Sequence, residues 1–135
     1  MPSSAFLLPL EVRDYECDQQ GIVNNAVYQN YLEHARHCFL RSHGIDFSEV
    51  TRQGLFLIVI HADIHYLKPL RAGEQCQISV QLEQLSPVRF RFIQEIRRPA
   101  DGAITLKASI TTAAMNRDGQ PVRIPKELLA NLPLS

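Results

Sequence analysis

The stretch from Gln75 to Asn116 constrains the fold most, because it holds three amphipathic runs of strand length separated only by short turn signals. From Gln75 to Leu85 the chain alternates, with Cys76, Ile78, Val80 and Leu82 on one face and Gln75, Gln77, Ser79, Gln81 and Glu83 on the other. A period of two is that of a half-buried strand. After Ser86-Pro87 a second run, Arg89 to Arg97, turns Phe90, Phe92 and Ile96 inward and Arg89, Arg91, Glu95 and Arg97 outward. Ala100-Asp101-Gly102 marks the next turn, and Ile104 to Asn116 forms a third strand, closed by Asp118-Gly119. Strands joined this tightly form an antiparallel meander.

One segment has a different period. Between Ala26 and His43 the residues Tyr28, Tyr31, Leu32, Ala35, Cys38 and Phe39 recur at helical spacing, with Asn30, Glu33, His34, His37 and Arg41 opposite. Asn24 or Asn25 is placed to cap this helix and Gly44 to stop it. Leu55 to Tyr66 reads as a long strand, buried at its apolar start and amphipathic later, and Lys68 to Gly73 ends it. A first strand is expected around Leu8 to Arg13. So apolar a helix needs a large cover, which the sheet supplies by wrapping around it. The expectation is an α+β architecture, one long helix held in a curved antiparallel sheet, known as the hotdog fold.

Composition narrows the function. The 135 residues, 45% hydrophobic and 21% charged, fit a single domain over 1–135 that needs neither disulfide nor structural metal to fold. Fourteen Lys+Arg balance fourteen Asp+Glu, so no net field draws the protein to nucleic acid or an anionic membrane. Eleven of those cations are Arg, which leaves local sites for phosphate or carboxylate open. Cys17, Cys38 and Cys76 are odd in number and lack CxxC spacing, which favours a reducing compartment. The apolar start from Phe6 to Leu10 lacks the basic flank of a signal peptide, and Leu55 to Ile60 is too short to span a bilayer. A soluble cytoplasmic protein is expected.

The sequence contains no GxGxxG, no GxxxxGK[ST], no HExxH and no GxSxG. Conspicuous instead is Tyr15 to Asn25, which sets Asp18 in a loop just before the helix. The first helical turn carries N–H groups without intrahelical partners and a partial positive charge, suited to an oxyanion forming on an acyl carbonyl. Asp18 would activate water or attack the acyl carbon itself, while N–H groups between Val23 and Asn25 hold the carbonyl oxygen. Gly21 would let the backbone approach closely. Thioesters suit such sparse machinery, because thiolate leaves without much protonation. The competing reading of Asp18 is a turn or capping residue.

The pattern DxxGIVxNxxYxxYxExAR, spelled by Asp18, Gly21, Ile22, Val23, Asn25, Tyr28, Tyr31, Glu33, Ala35 and Arg36, resembles the signature of the 4-hydroxybenzoyl-CoA thioesterase group of hotdog enzymes. Val12-Arg13-Asp14-Tyr15 and Tyr66 to Gly73 extend the resemblance over nearly the whole chain. The run from Arg13 to Tyr28, with Arg123-Ile124-Pro125, is especially similar to plant plastid single-hotdog acyl-acyl carrier protein thioesterases. The resemblance implies hydrolysis of an acyl-CoA or acyl carrier protein thioester without metal or redox cofactor. It makes Asp18 catalytic and the N–H of Asn25 the group that polarises the carbonyl. Some bacterial relatives carry His at the position of Asn25, so no imidazole role transfers. The resemblance further implies a homodimer or homotetramer with sites between subunits. The alternative is a non-catalytic module that binds the same thioesters. A dehydratase is disfavoured, because the loop lacks the expected Asp and His partnership.

Other residues have plainer readings. Glu33 and Arg36, three apart on the helix, suit a surface ion contact, with Glu33 also a candidate for orienting water. Tyr28 and Tyr31 belong to the core face, with substrate lining as the alternative for both, and Tyr28 the candidate, if the acyl chain runs along the helix. Arg89 and Arg91 are candidates for the carrier's phosphates or, with Arg97 and Arg98, a charged face protecting a strand edge. His34 with His37, and His61 with Asp63 and His65, lack a third metal ligand at an interpretable spacing. Cys17 lies between two acids, which disfavours a thiolate.

Overall fold

The computed structural model describes residues 6–134. Its elements run β1 (Phe6–Glu11), a single 3-10 turn (Asp14–Glu16), α1 (Asn25–Ser42), α2 (Phe47–Arg52), β2 (Phe56–Tyr66), β3 (Gln75–Ser86), β4 (Arg89–Arg98), β5 (Ala103–Met115) and α3 (Lys126–Leu129). The strands form one antiparallel sheet in the order β1-β3-β4-β5-β2, so the expected β3-β4-β5 meander is its centre. This is the α+β hotdog arrangement. The chemistry of the ends sets α1: Asn24 Oδ1 accepts from the Ala26 N–H at 3.1 Å, and Gly44, at φ +79°, turns the chain out.

One face of α1 makes the core. Tyr28, Tyr31, Leu32, Ala35, Phe39 and Leu40 are buried against the inward residues of the sheet, including Ile78, Leu82, Phe92, Ile96, Leu106 and Ile110. The inward row of β4 also holds Gln94, which is buried although polar. Its Nε2 donates to the Leu32 carbonyl at 3.1 Å and its Oε1 accepts from Arg36 Nη1 at 3.1 Å, so sheet and helix are joined by a satisfied polar link. Thr105 is skipped in the β4–β5 register, and its hydroxyl donates to the Ile96 carbonyl at 3.0 Å.

Two expectations fail. The apolar start of β2 is not buried: Ile58, Val59 and Ile60 are 43%, 47% and 41% exposed. The strand lies at the sheet edge with β5 on one side and, among the described residues, no strand on the other. A register shift between Val59 and His61 also bulges it at Ile60. The short helices α2 and α3 are additional to the expected elements. α2 starts at Asp46, whose Oδ1 accepts from the Ser48 N–H at 2.9 Å.

Candidate active site

The loop from Cys17 to Asn24 is a small closed structure at the N-terminus of α1. Isolated bridges join Cys17 to Val23 and Ile22 to Arg71. The Asp18 N–H donates to the Ile22 carbonyl at 2.8 Å, and Asp18 Oδ1 accepts from the N–H groups of Gln20 at 2.9 Å and Ile22 at 3.4 Å. Asp18 is exposed, with Oδ1 engaged in the turn and Oδ2 without a hydrogen bond among the described residues. Gly21 has φ +78°, and a Cβ there would meet nothing within 4 Å. No atom of the described residues crowds this position, and the glycine is needed for the left-handed turn itself.

Hydrogen bonding narrows the carbonyl-binding donors to one. The N–H of buried Val23 donates to the Leu70 carbonyl at 2.9 Å, and that of Asn24 to the Glu16 carbonyl at 3.0 Å. Asn24 takes the next donors, its Oδ1 accepting from Ala26 and its carbonyl from Val27 and Tyr28. The N–H of Asn25, the first residue of α1, makes no hydrogen bond among the described residues. Val23 is thus corrected from carbonyl ligand to loop anchor, because its donor is spent inside the fold. The Asn25 N–H remains unengaged among the described residues.

Buried Glu16 and Tyr31, with the half-exposed Arg13, hold this loop on the helix. Tyr31 donates its hydroxyl to Glu16 Oε1 at 2.6 Å, and Arg13 donates to the same carboxylate through its N–H at 2.9 Å and its Nη2 at 2.8 Å. Burial by itself would raise the Glu16 carboxyl, but the bonds from Arg13 and Tyr31 outweigh it and hold the group at about 2. Burial, with the hydrogen bond to this carboxylate, pushes the Tyr31 phenol well above its usual range. The Tyr28 hydroxyl accepts from the Leu70 N–H at 3.2 Å, and the Tyr28 ring packs between Tyr31 and Tyr66. Tyr28 is thus buried in the core beside the loop. Glu16 has no counterpart in the sequence-based site. The signal available for it was the Arg13-x-x-Glu16 spacing, together with an apolar-face tyrosine whose hydroxyl requires a partner.

Further along α1, Gln29, Asn30, Glu33 and Arg36 face Val59, Ala62 and Ile64 of β2 across a groove of about 240 Å³. Asn25, Gln29 and Glu33 follow one another at i+4, so the free N–H and the Glu33 carboxylate share a helix face. The expected Glu33–Arg36 ion pair is absent among the described residues. Arg36 instead turns under the helix to Gln94 and lies 5.8 Å from the centre of the Phe92 ring. Burial lowers its pKa, opposed by the charge of Glu33.

Arg89 and Arg91 are not brought to this loop. Their neighbours Phe90 and Phe92 line a cavity with Leu40 at the far end of α1, and Arg91 is paired with Glu83 at 2.7 Å. These arginines therefore stand about 20 Å along the helix from Asn25, away from the reacting carbonyl. His65 lies 3.0 Å from Asp63, His34 3.6 Å from the Cys38 sulfur, and His37 against Phe47. Among the described residues no three His, Cys, Asp or Glu side chains are grouped to hold a metal ion.

A helix held in a five-stranded antiparallel sheet, with a carboxylate loop folded onto its first turn, is the architecture of a hotdog protein. Residues 12–132 match the thioesterase-like superfamily, and the chain belongs to it. It is 39% identical over 121 residues to a chloroplastic acyl-acyl carrier protein thioesterase of Arabidopsis thaliana, covering 90% of this chain and 64% of the plant protein. The chain thus spans just under two thirds of that relative's length. A putative esterase of Aquifex aeolicus is 35% identical over 92% of this chain and 94% of its own. Among solved structures, a hypothetical protein of Aquifex aeolicus superposes with a TM-score of 0.87 at 34% identity, over 94% of this chain and 98% of that one. A Synechocystis 1,4-dihydroxy-2-naphthoyl-CoA thioesterase superposes with a TM-score of 0.90 at 17% identity over 96% of both, which establishes the shared fold. No helix among the described residues is long and apolar enough to cross a membrane.

Proposed function

We propose that the protein hydrolyses acyl thioesters, of coenzyme A or of acyl carrier protein, to a free carboxylic acid and a thiol. The observation that carries this reading is the pairing of one free helix N-terminal N–H, that of Asn25, with the exposed carboxylate of Asp18 in the loop tied to the same turn. The thioester carbonyl oxygen accepts from the Asn25 N–H, where the helix terminus stabilises the developing negative charge. Asp18 then either takes a proton from the attacking water or attacks the acyl carbon through Oδ2. Glu33, two turns along the same helix face, orients water. This chemistry uses no metal or redox cofactor. The names of the plant, Bacillus subtilis and Escherichia coli relatives support thioester substrates and include both carriers.

We infer a homodimer as the working unit. The exposed edge of β2 offers a free row of backbone groups beside Ile58, Val59 and Ile60, and an edge of that kind is normally covered. Pairing there would also extend the groove between α1 and β2. Arg89 and Arg91 are candidates for the carrier's phosphates, at the far end of the arm from the reacting carbonyl.

A specific observation favours the second reading, a binding module without catalysis: Asp18 Oδ1 already serves the turn. The Asp18→Asn variant separates the two, because the amide oxygen keeps the turn while the charge and the nucleophile are lost. Turnover should fall by about 10²-fold or more with melting and substrate affinity preserved. Cys17→Ser on the same preparation serves as the neighbouring control. Near-normal turnover in the Asn variant refutes the catalytic reading.

A further inference from the structure

The groove continues beyond Arg36. A second cavity of about 50 Å³ shares Glu33, Arg36 and Val59 with the groove and adds Leu40, Phe47 and Leu57. A third, of about 20 Å³, shares Leu40, Phe47 and Leu57 with the second and ends against Val50, Leu128 and Leu132. Every residue lining this third cavity is apolar. The three cavities share lining residues in series along α1, from one turn past Asn25 to the apolar pocket under α2 and α3. The middle cavity still has Glu33, Arg36, His37 and Thr112 on its wall, with Arg36 engaged by Gln94 and burial lowering the His37 pKa toward the neutral ring. The series loses polarity with distance from the Asn25 N–H.

We propose that this series seats an unbranched aliphatic acyl chain, and that Leu128 and Leu132 of the C-terminal segment form the stop that sets its length. The proposal rests on the hydrolytic reading for the position of the acyl carbon at Asn25. From Asn25 to His37 the helix advances about 18 Å at about 1.5 Å per residue. A zigzag of about 1.5 Å bonds advances roughly 1.25 Å per carbon, so about 14 carbons reach the second cavity. From His37 to Leu40 is about 4.5 Å more, or roughly four carbons, and this is the volume now nearly closed. The closure is weakly held. α3 has four residues and no side-chain cap, and Leu128 and Leu132 are only half-buried. An aromatic acid is too short to use the apolar end, whereas each methylene buried there strengthens binding about four-fold.

The test measures kcat/KM for saturated acyl-CoA esters from octanoyl to octadecanoyl, with benzoyl-CoA alongside. The Leu128→Ala/Leu132→Ala variant widens the stop, and Val50→Phe fills it. The wild type should peak near about 14 carbons. The widened variant should raise the octadecanoyl-to-dodecanoyl ratio about ten-fold, and the filled variant should lower it by a similar factor. A ratio unmoved in both variants, or a preference for benzoyl-CoA, overturns the proposal. If no ester is hydrolysed, the hydrolytic reading fails for coenzyme A esters separately, and calorimetric binding of the same esters decides. Affinity that rises with chain length and levels off at a length shifted by the two variants supports the proposal, and affinity independent of chain length refutes it.

Discussion

Replacing Glu16 with Gln tests whether one buried carboxylate secures the loop to the helix. Its carboxyl is held at about 2 against an ordinary value of 4.5. At 1.36 kcal/mol per pH unit, that difference corresponds to about 3 kcal/mol of stability at neutral pH. The Arg13 side chain is half-exposed, so solvent screening reduces the figure to about 2 kcal/mol. The sign follows from the depression of the folded-state value. The contribution is complete above about pH 4.5 and is lost as the pH falls through about 2. Gln keeps an acceptor for the Tyr31 hydroxyl and the Arg13 N–H but replaces the charge, and the acceptor facing Arg13 Nη2, with an amide donor, so Glu16→Gln should cost at least about 2 kcal/mol at pH 7 and progressively less toward pH 2. With a urea dependence of about 2 kcal/mol per molar, the unfolding midpoint should drop by about 1 M at pH 7. The chain has no Trp, so far-UV circular dichroism is the readout. Comparing variant with wild type at each pH cancels other acidic groups, including Asp101, whose bonds to Arg98 and the Ala103 N–H hold its carboxyl at about 2. An equal midpoint at pH 7, or a difference that does not shrink in acid, would refute this account of Glu16.

Gly21→Ala places a Cβ in open space but on a positive φ, so it should cost about 1 kcal/mol in melting while lowering turnover further by displacing Asp18; an unchanged kcat would show that the turn does not position the carboxylate. Arg89→Ala should raise KM for a coenzyme A ester and leave a small thioester without phosphate unaffected, and equal losses on both would assign Arg89 to the sheet. Hydrolysis should survive exhaustive chelation, and activity lost to chelator and restored by zinc would overturn the metal-free reading.

The strands β3, β4 and β5 were legible because each is buried on one face and ends at a Pro- or Gly-containing turn, which makes a period of two visible without knowledge of the fold. α1 was legible for the corresponding reason at a period of 3.6. α2 and α3 have six and four residues, too few to show a period, although Asp46 followed three residues later by Glu49 is a capping signal in plain view. In the loop, the spacing of Asp18, Gly21 and Asn25 pointed to the right turn and helix end. It could not show which donors remain free. That depends on the carbonyls of Leu70 and Glu16, one of them nearly fifty residues away, which occupy the N–H groups of Val23 and Asn24 and leave Asn25.

β2 was misread for an instructive reason. A run such as Leu55 to Ile60 states that its side chains leave water, and a single sequence naturally assigns that burial to the chain's own core. The sheet order instead puts the run at an edge, where its own chain covers it on one side only. Glu33 and Arg36 follow the same logic in reverse. Their spacing suggests a solvated ion pair, yet Arg36 goes under the helix to Gln94, because a polar residue on the inward row of β4 needs a partner there. Glu33 is then left facing the groove beside the uncovered strand. A dimer formed through β2 would therefore bury the apolar run and enclose that carboxylate in the same step, so assembly and completion of the site become one physical event.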